Sequence, residues 1–128
     1  MVKGKKLTEA EIQAAVVQLM ELDGWRAFRT DPVSDKSRGK GFGELGMPDY
    51  LLLRYEPLSG RGSILWIEFK APGNEPEPHQ RRWINKERAE GARVWVVDDV
   101  ADFCDLYLGH ARNPQLFLKA STAYRSEK

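Results

Sequence analysis

The chain is short of cysteine, of long apolar runs and of any excess of one charge, and each shortage removes a class of protein. Its one cysteine, Cys104, has no partner for an internal disulfide, which fits a reducing cytosol. No histidine pairs with it in a nucleophile pattern, so it is read as a helix-packing residue. The longest apolar stretches, such as Val94 to Val97, fall far below the roughly 20 residues that a bilayer demands. No apolar segment follows Met1-Val-Lys-Gly-Lys-Lys, so no secretory signal is expected. A cytoplasmic protein with no membrane partner is the expectation. A net charge of only +1 argues against a histone-like binder of polyanions. Internal repeats and low-complexity linkers are also lacking.

What is present is an ordinary globular composition, 41% hydrophobic and 30% charged over 128 residues. That length predicts a single domain, 1–128, large enough for one real core. The motif-bearing part runs over roughly residues 8–100, with a C-terminal helix and tail over 101–128. Charge is unevenly placed. Between Trp25 and Gly43, Arg26, Arg29, Lys36, Arg38 and Lys40 face only Asp31 and Asp35. From Arg81 to Arg93, Arg81, Arg82, Lys86, Arg88 and Arg93 face Glu87 and Glu90. Two such basic surfaces suit a phosphate backbone, and solvated faces are the plainer alternative.

Leu7 to Leu22 reads as a helix, with Thr8 and Glu11 in the Thr-x-x-Glu capping pattern and Gly24 as its stop. Its apolar stripe is Ile12, Val16, Leu19 and Met20. Trp25 to Thr30 predicts a short strand, and Asp31 to Gly46 a long glycine-rich loop. Asp49 to Tyr55 and Ser63 to Lys70 predict two strands joined by a hairpin-like link. A helix opened by Pro76 or Pro78 runs to about Glu90, followed by a buried strand over Arg93 to Val97 and a short helix to about Leu108. The order α-β-β-β-α-β-α predicts an α/β fold, a small mixed sheet of about four strands flanked by helices. The crossover helix makes the last strand pair parallel.

Within SILWIEFKAP (Ser63–Pro72), Glu68 and Lys70 break an apolar run. Alternate strand residues share a face, so both point one way, roughly 6–7 Å apart. Burying either charge costs several kcal/mol unless something offsets it. An ordinary ion pair does that, and so does a metal ion with a phosphate. Asp49, at the entry of the neighbouring antiparallel strand, can meet Glu68 at the same end of the sheet. Side-by-side carboxylates repel unless a divalent cation lies between them, and such a cation is what phosphodiester hydrolysis requires. Lys70 is placed to offset phosphoryl charge or to orient the attacking water.

Gly46-x-Pro48-Asp49, Ile67-Glu68-Phe69-Lys70 and Gln80-x-x-Trp83 followed by Gly91 together resemble the VRR-NUC family. This is the virus-type replication-repair branch of the PD-(D/E)xK nuclease superfamily. The resemblance covers Thr8 to Val97. It implies a restriction-endonuclease-like core and a Mg²⁺-dependent endonuclease, with Mn²⁺ able to substitute. It also implies a homodimer from a bacterial cell or phage-infected host that cuts branched, flap or Holliday-junction DNA, leaving 5′-phosphate and 3′-hydroxyl ends. Asp49 and Glu68 would be metal carboxylates, the Phe69 carbonyl a further ligand, and Lys70 the catalytic base or stabiliser. Gln80 would touch the metal site or the scissile phosphate; an N-terminal helix residue bonding loop backbone is the alternative. Arg29, Lys36, Arg38, Lys40 and Arg81 would contact DNA.

The family also places a glutamate on its first helix. Glu9 shares the stripe of Ile12 and Val16 and is expected to look toward the sheet as a ligand, direct or through water. Glu11 already has the capping role. A Glu9 that only complements the helix dipole is the alternative. His79 is read as a surface residue. The long loop before Pro48 and the tail after Val100 depart from the family pattern. Two other functions stay open: a non-catalytic nucleic-acid-binding module on the same fold, and an RNA-cleaving nuclease.

Overall fold

The computed structural model describes residues 6–30 and 44–112. Thr8 opens helix α1 (Glu9–Leu22) with a reciprocal cap. Its hydroxyl accepts the Glu11 N–H at 3.1 Å while the Glu11 carboxylate accepts the Thr8 N–H at 2.9 Å. Ile12, Val16 and Met20, one helical turn apart, are fully buried, whereas Leu19 lies 41% exposed at the edge of the stripe. Gly24, at φ +93°, ends the helix in the left-handed conformation that only glycine adopts without penalty.

The chain then forms β1 (Arg26–Arg29), β2 (Tyr50–Glu56), β3 (Arg61–Phe69), α2 (Pro78–Ala89), β4 (Val94–Val97) and α3 (Val100–Arg112). The element order is the one that the sequence predicts. Strand β1 is shorter than expected, and α3 runs four residues past Leu108. The sheet order is β1-β2-β3-β4. The first two pairings are antiparallel, and β3 with β4 is parallel across the α2 crossover. No helix among the described residues is long and apolar enough to cross a membrane.

Strand alternation divides the sheet between two helical layers. Leu65, Ile67 and Phe69 of β3 join Leu52, Trp95 and Val97 in the core against Ile12, Val16 and Met20 of α1 and Phe103 of α3. The intervening β3 residues turn to α2. Trp66 meets Trp83 edge-on at 5.1 Å, and Glu68 meets Gln80 at 2.8 Å. Cross-strand register carries the division to β2, so Leu52 and Tyr50 face α1 while Leu51 and Asp49 face α2.

A polar cluster ties the far end of the sheet together. Trp25 Nε1 donates to the Tyr107 hydroxyl at 2.8 Å, and that hydroxyl donates to Asp23. Arg54 reaches Asp23 at 3.1 Å and lies 5.2 Å from the Trp25 ring. On the outer edge of β4, Arg88 Nε donates to the Val94 carbonyl at 3.1 Å. Leu65 sits wholly buried mid-core, so Leu65→Ala is expected to cost about 2–5 kcal/mol through lost transfer energy and a residual cavity. A lowered denaturant midpoint at unchanged slope is the measurement.

Candidate active site

The segment before Asp49 is clamped between β1 and α2. Gly46, at φ +91°, lies so close to α2 that a Cβ there would stand 2.7 Å from the His79 carbonyl oxygen and 3.2 Å from Trp83 Cβ. Trp83 Nε1 donates to Glu44 at 2.9 Å, closing the same contact from the other side. Toward β1, the buried Thr30 hydroxyl donates to the Pro48 carbonyl at 2.6 Å, and the Thr30 N–H donates to the Asp49 carbonyl at 2.9 Å. These contacts fix Asp49 from both flanks.

One register step beyond the Tyr50–Ile67 pair, Asp49 stands across from Glu68, where directly opposed Cβ atoms are about 5 Å apart. The Asp49 carboxylate accepts the Phe69 N–H at 2.8 Å. The Lys70 N–H is taken by the Val97 carbonyl of β4 at 3.0 Å. Neighbouring residues of a strand present their backbone groups to opposite edges, so the Phe69 carbonyl turns toward the Asp49 side.

Glu68 is 2% exposed. Its Oε2 accepts from Gln80 Nε2 at 2.8 Å and lies 3.5 Å from Lys70 Nζ. Gln80 is itself held, because its Oε1 accepts the Glu77 N–H at 2.8 Å at the start of α2. The other oxygen, Glu68 Oε1, is buried with no hydrogen-bond partner. Burial, reinforced by the Asp49 carboxylate, drives the Glu68 pKa up to about 8, against the opposing pull of Lys70 and the Asp49 backbone. Burial also raises the pKa of Asp49, outweighing the Phe69 N–H and the positive charges of Lys70 and Arg29.

Crowded carboxyls with raised pKa values and an orphaned buried oxygen make a site short of positive charge. A hard divalent cation suits that deficit. Asp49, Glu68 and the Phe69 carbonyl supply oxygen donors of the right type, so the residues present fit such an ion. Among the described residues no group of three or more His, Cys, Asp or Glu gathers for a metal. The remaining positions of an octahedral shell would therefore fall to water and phosphate oxygens.

Glu9 is not part of this group. It is exposed in the first turn of α1, and α1 packs on the sheet face opposite Glu68. The expectation that Glu9 looks toward the sheet is thus corrected: the stripe it shares begins to be buried only at Ile12. Glu11 caps the helix as expected. Arg29 is exposed at the end of β1. Arg81, expected to meet DNA, is partly exposed, donates to the Pro76 carbonyl at 2.6 Å and lies 3.9 Å from Glu75. Lys36, Arg38 and Lys40 lie outside the described residues.

The bond that Gln80 accepts from the Glu77 N–H fits the alternative reading of Gln80 as a helix N-terminal residue bonding loop backbone, and Glu77-Pro78-His79-Gln80 carries the capping-box spacing for it. One part of the site escapes the sequence reading. The press of Gly46 on α2 has only the glycine as its signal. Models of protein families and curated proteins give no match to this chain.

Glu68 sets a pH dependence. Unfolded, its carboxyl loses a proton near 4.5; folded, near 8. Between these values the folded chain binds more protons, so stability falls as pH rises. In chelator, thermal denaturation from pH 5 to 8 is expected to show wild type losing stability relative to Glu68→Gln; parallel curves would show that Glu68 does not titrate in that window. Gly46→Ala combines a left-handed strain of about 1–2 kcal/mol with the clash at His79, and a lower Tm than wild type is expected.

Proposed function

We propose that this chain is a Mg²⁺-dependent endonuclease, able to use Mn²⁺, that hydrolyses DNA phosphodiester bonds and leaves 5′-phosphate and 3′-hydroxyl ends. One observation carries the proposal: Asp49 and Glu68 crowd together on one sheet face, with Lys70 beside Glu68 and a buried Glu68 oxygen lacking any donor. An ordinary ion pair between Glu68 and Lys70 accounts for only one of the two Glu68 oxygens. It also leaves the burial of Asp49 only partly offset, since the Phe69 N–H, Lys70 and Arg29 do not outweigh it.

Asp49, Glu68 and the Phe69 carbonyl would hold the divalent cation, which would supply polarisation of the phosphoryl oxygen and a lowered pKa for water. The chain's own groups do the rest. Gln80, fixed by the Glu77 N–H, holds the Glu68 carboxylate in one rotamer and aims Oε1 into the site. The Phe69 N–H does the same for Asp49. Lys70, only partly exposed and at the rim of the site, orients the attacking water and offsets charge that builds on the phosphoryl oxygens. The water oxygen bonds to phosphorus as the bond to the 3′ oxygen breaks; the water gives up a proton to solvent and the leaving 3′ oxygen takes one up from solvent, which yields the 5′-phosphate and the 3′-hydroxyl. Branched DNA is the proposed substrate, and a homodimer would place two such sites for cutting both strands.

Cleavage of duplex, single-stranded, flap and four-way DNA in Mg²⁺, Mn²⁺ and chelator tests the proposal. Asp49→Ala and Glu68→Ala are expected to abolish cleavage and Mn²⁺ binding while the fold survives; undiminished hydrolysis by either purified variant overturns the assignment. Lys70→Ala is expected to lower turnover at least 10²-fold, the scale of one lost electrostatic stabiliser, with DNA affinity changed only a few-fold. The reverse pattern would make Lys70 an anchor.

A further inference from the structure

Among the described residues, the α2 side of the sheet is only half covered. Helix α2 shields β3 and β4 through Trp83 and the buried Ile84. Over β1, β2 and the outer part of β3, the described residues leave apolar side chains in the open: Phe28 is 39% exposed, Ile64 51% and Tyr55 58%. Alternation places these on the α2 face, since Ala27 packs against the opposite core and Arg54 turns to Trp25.

Register connects this face to the candidate active site. Phe28, Leu51 and Trp66 form one row across the strands. The next row holds Asp49 and Glu68, about 7 Å further along. Behind Phe28 come the row of Arg26, Leu53 and Ile64 and then the row of Tyr55 and Gly62. Gly62 leaves room for the Tyr55 ring, which lies 3.4 Å from where a Cβ would stand. The Arg26 guanidinium sits 5.0 Å from the Phe28 ring centre.

Exposed aromatic rings on a sheet, with a cation beside them, are how sequence-tolerant proteins hold unpaired bases. Arg26 beside Phe28 supplies charge on this face that suits an anionic strand; Arg29, paired with Tyr50, falls on the other face of β1, although its charge still acts on Asp49. The cavity on the far side of Ile64, by contrast, is lined by two acids, Glu87 and Glu90, against one cation, Arg93, a balance that disfavours phosphates there. The path for a nucleic-acid strand therefore lies over β1 and β2.

We propose that this open sheet face holds a single-stranded arm of the DNA substrate, its bases stacked on Phe28 and Tyr55 and its scissile phosphate led into the Asp49–Glu68 row. The proposal rests on the nuclease assignment above and adds to it a binding platform, Phe28 and Tyr55, that holds an unpaired arm apart from the acids.

Binding read in chelator separates the two. A single-stranded oligonucleotide carrying 2-aminopurine and a matched duplex are titrated with the full chain. Phe28→Ala is expected to weaken single-strand binding about tenfold, within the range of one lost stacking contact, and to reduce the stacking-induced quenching of 2-aminopurine. Duplex binding should change less than twofold, and Phe28→Trp should restore the wild-type behaviour. Tyr55→Ala, at the more exposed position, should show a smaller loss of the same kind. Unchanged single-strand affinity in Phe28→Ala overturns the platform, as does equal loss for both DNAs. A wild-type dimer that Phe28→Ala dissociates, with single-strand affinity intact, assigns the face to a second copy and also overturns it. Because no cleavage is read, an inert chain that still stacks single strands would sink the nuclease assignment alone.

Discussion

The crowding of Glu68 against Asp49 is the constraint around which the rest of the molecule is arranged. A carboxyl group at 2% exposure beside another acid is expensive to keep, and a fold has no need of it for packing. Most of the local structure serves to hold it. Strand β3 presents it, β2 presents its neighbour in register, the crossover helix supplies Gln80 and the adjoining strand residue supplies Lys70. Only the backbone and two side chains answer its charge, and one oxygen goes unanswered. A structural ion pair alone would not leave that imbalance, and the proposed cation site rests on it.

The sheet's two faces divide labour accordingly. One face is a continuous apolar interior, in which Leu52, Leu65, Ile67 and Phe69 meet α1 and α3. The other carries the acids, the paired tryptophans and the open aromatic rings. Because side chains alternate along a strand, Phe69 is core while Glu68 and Lys70 on either side of it are site. Stability and chemistry are thus interleaved residue by residue along β3. A one-residue slip in register would exchange them completely.

Much of this was legible beforehand, for identifiable reasons. The fold order followed from periods of 3.6 and 2 and from strong caps, as with Thr8 and Glu11. The proximity of Glu68 and Lys70 followed from strand geometry alone, and that of Asp49 from the hairpin. Glu9 was misplaced because a helical stripe specifies an azimuth and says nothing about where burial starts along the axis. Arg81 looked like a free cation in sequence, yet a nearby backbone carbonyl claims its guanidinium. The contact of Gly46 with His79 joins residues far apart in sequence, which no local pattern encodes. The bareness of the β1–β2 face depends on how far α2 reaches across the sheet, a tertiary quantity.

Arg88 gives the outer edge of β4 a further property. A strand at the margin of a sheet ordinarily offers a row of unclaimed carbonyls as a template for another strand. Here the Val94 carbonyl is already taken by a guanidinium reaching back from α2. An incoming strand would have to displace a cation to dock there, and would then leave that cation without its acceptor. Growth of the sheet by strand addition is therefore discouraged on this side, which protects the chain from edge-to-edge aggregation and steers any self-association toward its broad surfaces.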